Sequence, residues 1–365
     1  MFYRFFFLVF VLAWFSSCVS VRVSDNIVSK PIYENKKPKN IILLIGDGMG
    51  LSEISASQFY NEKPSNFERF NVIGLSKTSS SSDLITDSAA GATALACGVK
   101  TYNGAIGVDN DTISVKNIIE EVSLMGLSTG VIATSTITHA TPASFYAHQK
   151  MRRMHEDIAL DLVDSDIDFF AGGGLKHFKN RSDKLDLIGQ LKDKGFVVYT
   201  EDLPDFVIEK KQAVLLADNA MKQKNEGRGD FLPMATQKGI AKLSENDSGF
   251  FLMVEGSQID WGGHDNDAEY LIAELIDFDD TIGVALDFAE KDGETLVIVT
   301  ADHETGGFTL GSDNNNYNKI KPVFSTNSHS ATMVPVFAKG PGSEKFNGIY
   351  AINEIYHKMK SLIIE

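Results

Sequence analysis

Ser88 stands in a segment that suits nucleophilic chemistry. The run over residues 84–109 reads LITDSAAGATALACGVKTYNGAIGVD, in which the serine follows an acid, Asp87, and precedes an alanine-rich stretch ending at Cys97. This pattern predicts a loop that delivers Ser88 to the first turn of a helix. Unpaired backbone N–H groups and the helix dipole favour an anion there. A serine hydroxyl is a weak nucleophile at neutral pH, so a base or a metal ion must activate it.

Two acid–imidazole pairs indicate that the activating partner is a metal. Asp260 and His264 lie four residues apart in EGSQIDWGGHDND, a spacing that places both side chains on one face of a helical turn. Asp302 and His303 are adjacent in VIVTADHETGG. Carboxylate and imidazole groups suit zinc, which in catalytic sites usually takes three protein ligands and keeps one position open. A single isolated pair is more often a hydrogen-bonded histidine beside a solvated acid.

Other candidate ligands are scattered along the chain. His329 lies between a polar loop and a strand and is a candidate third zinc ligand. Asp47 occurs in GDGMG, where the glycines allow a tight turn, although a turn-forming aspartate explains that motif equally well. Glu255 and Thr141 offer oxygen donors of the kind that magnesium prefers. Taken singly, Glu255 is equally consistent with an acid that caps the next helix.

The elements that must position these residues can be predicted from short apolar runs. Five runs have the length and composition of buried strands bounded by Gly or polar residues; they are 41–45, 128–134, 249–255, 294–300 and 332–338. Helix-like stretches separate them, at 114–125, 152–163, 235–245 and 266–291. The alternation predicts an α/β fold with a central, mainly parallel sheet flanked by helices on both faces. We expect peripheral helices and loops over 175–247 and a polar surface loop over 305–328.

The candidate ligands follow the carboxyl ends of these strands. Asp47 follows the first strand, Thr141 lies in the HATP run after the second, and Glu255 ends the third. Asp302 and His303 follow the fourth. Ligands of open α/β sheets bind beyond the carboxyl ends of the strands, so these residues are predicted to converge on one rim. One acid after a strand carries little information, whereas this number together indicates a site.

Composition narrows the classes of function. The chain has 365 residues, 43% of them hydrophobic, which is enough for one large α/β domain or two small ones. Its net charge of −15 argues against nucleic acid as a partner, because phosphate binding needs cations that replace counterions. The two cysteines, Cys18 and Cys97, are too few for a disulfide framework.

The N-terminus has the form of a secretory signal peptide over residues 1–18. Arg4 precedes an apolar core that is too short for a convincing membrane span. Cys18 at the expected cleavage point suits a lipid anchor as in bacterial lipoproteins, whereas Phe15 favours ordinary cleavage nearby. We therefore expect an exported protein that is periplasmic, anchored to the outer membrane or secreted.

Six motifs together resemble the alkaline phosphatase family. In chain order they are DGMG, TDSAAGATALACGVKTYNGAIGVD, HATPASFYAH, VEGSQIDWGGHDND, TADHETGG and the segment around His329. The resemblance runs from about residue 40 to about residue 340, and its serine-bearing motif and two Asp/His pairs are highly specific. It implies a single catalytic domain over 40–365 after a polar lead-in at 19–39. The implied reaction is hydrolysis of small phosphate monoesters to alcohol and inorganic phosphate.

The resemblance also implies a role for each position. Ser88 is implied as the nucleophile that becomes phosphorylated, and Arg152 as the arginine that clamps the phosphate, in preference to Arg153. The implied cofactors are two Zn²⁺ and one Mg²⁺ per subunit. The implied ligands are Asp260, His264 and His329 for the first zinc, Asp47, Ser88, Asp302 and His303 for the second, and Asp47, Thr141 and Glu255 for magnesium.

This chemistry accounts for the residue types. Zinc lowers the pKa of a bound hydroxyl, so Ser88 needs no histidine base, and the other zinc stabilises the departing oxygen. The planar fork of Arg152 fits two nonbridging phosphate oxygens in a way that lysine does not. The stabilised charge lies mainly on the phosphate, so little selectivity for the alcohol is expected.

His139 and Trp261 depart from the pattern of many bacterial relatives, which have aspartate and lysine there. Imidazole is a poor partner for a hard cation, so we expect weaker magnesium binding. A homodimer is expected from the family alone. The stretch between His303 and His329 is short compared with relatives that carry a large interface domain there, so any dimer contact is expected to be small or absent.

Two alternative functions stay open on the sequence alone. A related hydrolase would act on phosphodiesters or sulfate esters, although Arg152 and the magnesium-type ligands favour monoesters. A secreted metal- or phosphate-binding protein without activity is the other. The complete set of Ser88, Arg152 and zinc-type ligands argues against that loss.

Overall fold

The computed structural model describes residues 36–203 and 210–363. The predicted signal peptide, with Cys18, and most of the polar lead-in lie outside the described residues. Within the described ranges, no helix combines the length and the apolar character needed to cross a membrane.

Strands and helices alternate along most of the described chain. The strands are β1 (Asn40–Gly46), β2 (Val72–Lys77), β3 (Ser128–Thr136), β4 (Phe169–Gly173), β5 (Phe196–Tyr199), β6 (Lys211–Leu215), β7 (Phe250–Gly256), β8 (Thr295–Thr300), β9 (Glu304–Thr305), β10 (Thr309–Asp313), β11 (Asn316–Val323), β12 (His329–Ser330), β13 (Val334–Lys339) and β14 (Gly348–Ala351). The helices are α1 (Leu51–Tyr60), α2 (Ser88–Cys97), α3 (Ile118–Ser123), α4 (Ala140–Ala143), α5 (His155–Asp164), α6 (Lys176–Lys179), α7 (Leu187–Asp193), α8 (Phe231–Leu243), α9 (Gln258–His264), α10 (Ala268–Asp292) and α11 (Glu354–Ile363). Short 3-10 turns occur at Asn66–Arg69, Lys224–Glu226 and Ser343–Phe346.

Ten of the strands form one central sheet in the order β14-β2-β13-β8-β1-β7-β3-β4-β6-β5. Only β13 runs antiparallel to its neighbours within this sheet, and the other described pairs are parallel. The predicted α/β class with a mainly parallel sheet is therefore confirmed. Successive residues of β1 feed two apolar cores, with Ile41, Leu43 and Ile45 in one and Ile42 and Leu44 in the other. Both faces of the sheet are thus covered, as expected for parallel strands.

Two sequence expectations about the elements are wrong. The stretch 175–247 is not only helices and loops, because β5 and β6 extend the central sheet there. The stretch 305–328 is not an unstructured loop but mostly the antiparallel hairpin of β10 and β11. The strand predicted at 332–338 is confirmed as β13, which runs antiparallel to both of its neighbours, β2 and β8.

The predicted helix at 114–125 also shrinks to the six residues of α3. Asn117 accounts for its start, because its side chain accepts a hydrogen bond from the Glu120 amide while the Glu120 carboxylate accepts one from the Asn117 amide. This reciprocal capping satisfies two otherwise unpaired N–H groups and fixes the first turn.

Candidate active site

Ser88 is the first residue of α2, as the sequence predicts, and only 1% of it is exposed. The Asp87 side chain caps the helix by accepting a hydrogen bond from the Ala90 amide at 3.0 Å. The small residues of α2 have a packing reason, because a side chain at Gly91 would meet the Cβ of Asp302 at 3.1 Å. Glycine therefore lets the helix carrying Ser88 lie against the loop after β8.

The loop after β1 carries Asp47 into the same region. Gly48 has φ +74°, and a side chain there would meet the Cα of Asp260 at 2.8 Å. Its amide also approaches Asp302 Oδ1 at 3.3 Å. This glycine allows three separate segments to converge at the carboxyl rim of the sheet.

A first cluster contains Asp260, His264 and His329, whose ligand atoms lie within 4.8 Å of one another. His264 Nε2 and His329 Nε2 are 3.4 and 3.6 Å from Asp260 Oδ1. The opposite ring nitrogens are held by backbone carbonyls, His264 Nδ1 by Asn327 at 2.9 Å and His329 Nδ1 by Thr86 at 2.8 Å. These two carbonyls orient the rings so that both Nε2 atoms face Asp260 Oδ1. Histidines that bind a metal through one ring nitrogen are commonly oriented in this way by a hydrogen bond from the other. The two glycines between Asp260 and His264 do not break the turn, which is helical in α9.

A second cluster, fully buried, contains Asp47, Asp302 and His303. His303 Nε2 is 3.4 Å from Asp47 Oδ1 and 3.3 Å from Asp302 Oδ2. The same nitrogen lies 3.2 Å from Ser88 Oγ. Ser88 therefore borders this cluster, as its predicted role in the second zinc site requires.

A third cluster contains Asp47, His139 and Glu255. Glu255 Oε2 accepts hydrogen bonds from the hydroxyls of Ser135 at 3.2 Å and Ser257 at 2.5 Å, which orients the carboxylate and leaves Oε1 facing the cluster. The predicted magnesium ligand Thr141 is fully buried on α4. Trp261 lies edge-on to His139 with ring centroids 6.0 Å apart, at the half-buried rim.

The three clusters hold buried carboxylates whose negative charge a bound cation would neutralise. Burial raises the pKa of Asp47 well above its usual range, and the nearby carboxylates of Asp302 and Asp260 raise it further. Burial likewise raises the pKa of Glu255 to about 7, whereas burial and His329 lower the pKa of His303 to about 3, which keeps its ring neutral. Among the described residues, several buried carboxylate oxygens accept no hydrogen bond: Asp47 Oδ1, Asp47 Oδ2, Glu255 Oε1 and Asp302 Oδ2.

Buried acids without partners are strongly destabilising unless a cation neutralises them. The two Asp/His clusters match the donor set of zinc, and the oxygen donors around Asp47 and Glu255 match magnesium. The residues present therefore fit metal ions.

Arg152 lies beside the start of α2. Its Nη1 donates to Asp87 Oδ2 at 3.0 Å, and its Nη2 is 3.2 Å from His139 Nε2. Its backbone amide donates to the Gly104 carbonyl at 2.7 Å, and the Gly104 amide donates to Asp87 Oδ1 at 3.1 Å. The cap of the Ser88 helix and the position of Arg152 thus depend on one carboxylate, Asp87.

Sequence reasoning missed Thr305, which links the two Asp/His clusters. Its hydroxyl bonds to Asp260 Oδ1 at 2.5 Å and lies 3.1 Å from His303 Nδ1. Thr305 could have been identified from the sequence, because it stands two residues after His303 in the motif TADHETGG. The structure brings together every residue that the sequence predicted for the site, whereas their roles as ligands, nucleophile and clamp stay predictions.

Comparisons with known proteins identify relatives of the chain. The family profile described as alkaline phosphatase matches residues 38–323. Alkaline phosphatase 3 of Bacillus subtilis is 42% identical over 75% of this chain and 63% of its own length, so the chain spans somewhat less than two thirds of that relative. The solved alkaline phosphatase of the Antarctic bacterium TAB5 is 56% identical, with a TM-score of 0.89 over 90% of this chain and 99% of that one.

A mutant of the same Antarctic enzyme, with histidine changed to aspartate, was solved with Mg bound in its M3 site. It matches this chain with 55% identity and a TM-score of 0.88, over 90% of this chain and 98% of that one.

Proposed function

Because the chain belongs to the alkaline phosphatase family, we propose that it is a metal-dependent hydrolase of phosphate monoesters that works through a phosphoserine at Ser88. The observation that carries the proposal is the position of Ser88. Its hydroxyl lies at the start of a helix and 3.2 Å from His303 Nε2, beside buried carboxylates that need cations. We also propose that residues 40–365 form a single catalytic domain.

We propose two zinc ions and one magnesium ion as cofactors, in the three clusters described above. Asp260, His264 and His329 would hold one zinc, and Asp47, Asp302, His303 and Ser88 the other; Asp47, Thr141 and Glu255 would hold magnesium. When bound, the ions supply the positive charge that favours the serine alkoxide and the departing oxygen.

The chain's own residues perform the two displacements. Ser88 Oγ gives up its proton to solvent and forms a bond to phosphorus while the ester P–O bond breaks, and the departing alkoxide takes a proton from water. A water oxygen then forms a bond to phosphorus as it loses a proton, the Ser88 Oγ–P bond breaks, Ser88 Oγ regains a proton and inorganic phosphate leaves. The backbone N–H groups at the start of α2 face the transferred phosphate oxygens.

Arg152 is proposed to bind two nonbridging oxygens with its two terminal nitrogens. Asp87 orients the guanidinium through Nη1 and at the same time caps α2, so the nucleophile and the clamp are held in a fixed relation. Such prior positioning reduces the entropy that the reaction must lose.

A comparison of three nitrophenyl esters tests this function. We expect purified protein to hydrolyse 4-nitrophenyl phosphate at alkaline pH, faster by orders of magnitude than bis-4-nitrophenyl phosphate or 4-nitrophenyl sulfate. Removal of metal by a chelator should abolish the activity, and added zinc should restore it. Faster cleavage of the diester or the sulfate would favour the related hydrolase instead.

Replacing His139 by aspartate should raise the affinity for magnesium. The variant offers a carboxylate oxygen to a hard cation, where the wild type offers an imidazole. The magnesium in the M3 site of the histidine-to-aspartate mutant of the Antarctic enzyme supports this expectation. Magnesium titration by calorimetry measures the change, with His139→Asn as the control that adds no charge. Equal magnesium affinity in His139→Asp and wild type would refute the assignment of the third cluster.

Export is proposed on the form of residues 1–18 alone, with the lipid anchor at Cys18 and ordinary cleavage as the two alternatives. A homodimer is likewise proposed only from the family resemblance. Mass measurement of the mature N-terminus and of the particle in solution tests both proposals.

A further inference from the structure

A row of basic and imidazole side chains borders the candidate site on the side of β4. We call Arg152, His155, Lys176 and His177 the basic strip. Lys176 and His177 open α6, which follows β4 directly, and they therefore lie at the same carboxyl rim as the site. The His155 and His177 rings stack with centroids 4.7 Å apart, which joins the start of α5 to the start of α6.

The two histidines present neutral rings with one hydrogen-bond donor each. His155 Nδ1 lies 3.2 Å from both the hydroxyl and the carbonyl of Thr138, so this nitrogen faces the loop after β3. Burial, Lys176 and Arg152 lower the pKa of His155, and burial lowers the pKa of His177 to about 4. Both rings therefore keep a single N–H at neutral and alkaline pH.

Lys176 is a cation without an acidic partner in the described part of the chain. Its Nζ contacts the neutral Asn219 Oδ1 at 2.6 Å, and no described carboxylate pairs with it within 4.0 Å. By contrast, Lys194 and Lys211, elsewhere in the same part of the fold, pair with Asp164 and Asp168 at 2.6 and 3.3 Å. A cation at the rim of a site that forms no ion pair with a described carboxylate is suited to attract an anion.

We propose that Lys176 and His177 of the basic strip bind a second anionic group, a carboxylate or a phosphate, on the leaving group of the substrate. The inference rests on the proposed function, in which Arg152 holds the phosphoryl group that is transferred. Lys176 and the His177 ring would donate to oxygens of the second anion, while the ester is cleaved at Ser88. The site would then accept any monoester but favour those whose leaving group carries a second anionic group. Its selectivity for the leaving group would be modest rather than absent.

Matched substrate pairs test this preference. Glycerol 3-phosphate and 3-phosphoglycerate each carry one phosphate and differ by a carboxylate, whereas glucose 6-phosphate and glucose 1,6-bisphosphate differ by a phosphate. In the double variant Lys176→Gln/His177→Asn, we expect the kcat/KM of each doubly anionic substrate to fall about three- to fivefold relative to its partner. The kcat/KM for glycerol 3-phosphate should stay within about twofold of wild type.

Lys179→Gln is the control, because it removes the same charge from the exposed end of the same helix. It should leave both ratios unchanged. The wild-type preference should also weaken at high salt, since exposed charges are screened within a few ångströms there.

Two results would overturn the proposal. Unchanged ratios in the double variant would exclude binding of a second anion, and an equal fall for both members of a pair would indicate a general effect on folding or phosphate attraction. If wild-type protein cleaves none of the four substrates, the proposed function itself fails. Normal cleavage with unchanged ratios removes only this inference.

Discussion

Replacing Ser88 by alanine should lower the kcat for 4-nitrophenyl phosphate by roughly a thousandfold or more. The variant lacks the hydroxyl that is proposed to attack phosphorus, and the residual rate would come from solvent attack on substrate still bound by Arg152. Because Ser88 is buried and small, the change should leave the fold intact. Steady-state kinetics on metal-loaded protein measure the loss.

Ser57→Ala is a matched control for this variant, since Ser57 is equally buried but lies in α1, away from the clusters. We expect its kcat within about threefold of wild type. A Ser88→Ala variant that keeps more than about a tenth of the wild-type kcat would remove Ser88 as the nucleophile. If metal-loaded wild-type protein is itself inactive, the alternative of a metal- or phosphate-binding protein without activity gains support.

Replacing Arg228 by methionine should cost about 3–5 kcal/mol of unfolding free energy, the largest stability effect we expect. Arg228 is buried in a loop before α8, and its Nη2 bonds to Glu274 at 2.6 Å and Asp277 at 2.8 Å, both buried on α10. The variant would leave two acids in the interior, and among the described residues Lys224 Nζ, beside Asp277, would be the one remaining cation paired with them. Urea unfolding at neutral pH measures the loss.

The double variant Arg228→Met/Glu274→Met should recover part of this loss, because it removes one of the two stranded carboxylates. Arg69→Met is the contrasting control. Arg69 also pairs with two acids, Asp287 and Glu290, but at the surface, so its loss should cost no more than about 1 kcal/mol. A cost below about 1 kcal/mol for Arg228→Met would show that the buried network does not hold this loop.

The sequence alone predicts the centre of the fold, and it identifies residues that the structure brings together at the carboxyl rim. The strands β1, β7 and β8 are buried on both faces and consist largely of continuous runs of Ile, Leu, Val and Phe, which predict them directly. The strand β3 is buried except at its two end residues but contains only the short apolar run 131–133. The site follows because each of these strands delivers its polar residue to the same rim. The helix that begins at Ser88 can also be predicted from adjacent residues, because an aspartate suited to cap a helix precedes a run of alanines.

Elements that form only because of tertiary contacts could not be predicted from the sequence. The strands β5 (FVVY) and β6 (KQAVL) are too short and too near charged residues to be told from loops, and only pairing with the sheet edge makes them strands. The hairpin of β10 and β11 is largely exposed and polar, so it lacks the alternation that marks a strand. The direction of β13 depends on its connection rather than its composition.

The orientation of side chains within the site could not be predicted from the sequence either. His264 and His329 are held by the carbonyls of Asn327 and Thr86. Every residue has such a carbonyl, so no residue type marks the partner. The paired use of Asp87, for the helix cap and for Arg152, depends on a contact across 65 positions of the chain.

Trapping of the phosphoenzyme tests most directly the claim that bound cations make Ser88 a nucleophile. Metal-loaded protein would be mixed with a monoester, quenched in acid, digested and examined by mass spectrometry, alongside protein stripped by a chelator. We predict phosphate on the peptide containing Ser88 in the loaded sample and none in the stripped sample. Turnover of the ester with no phosphate on Ser88, or equal labelling in the stripped protein, would contradict the mechanism.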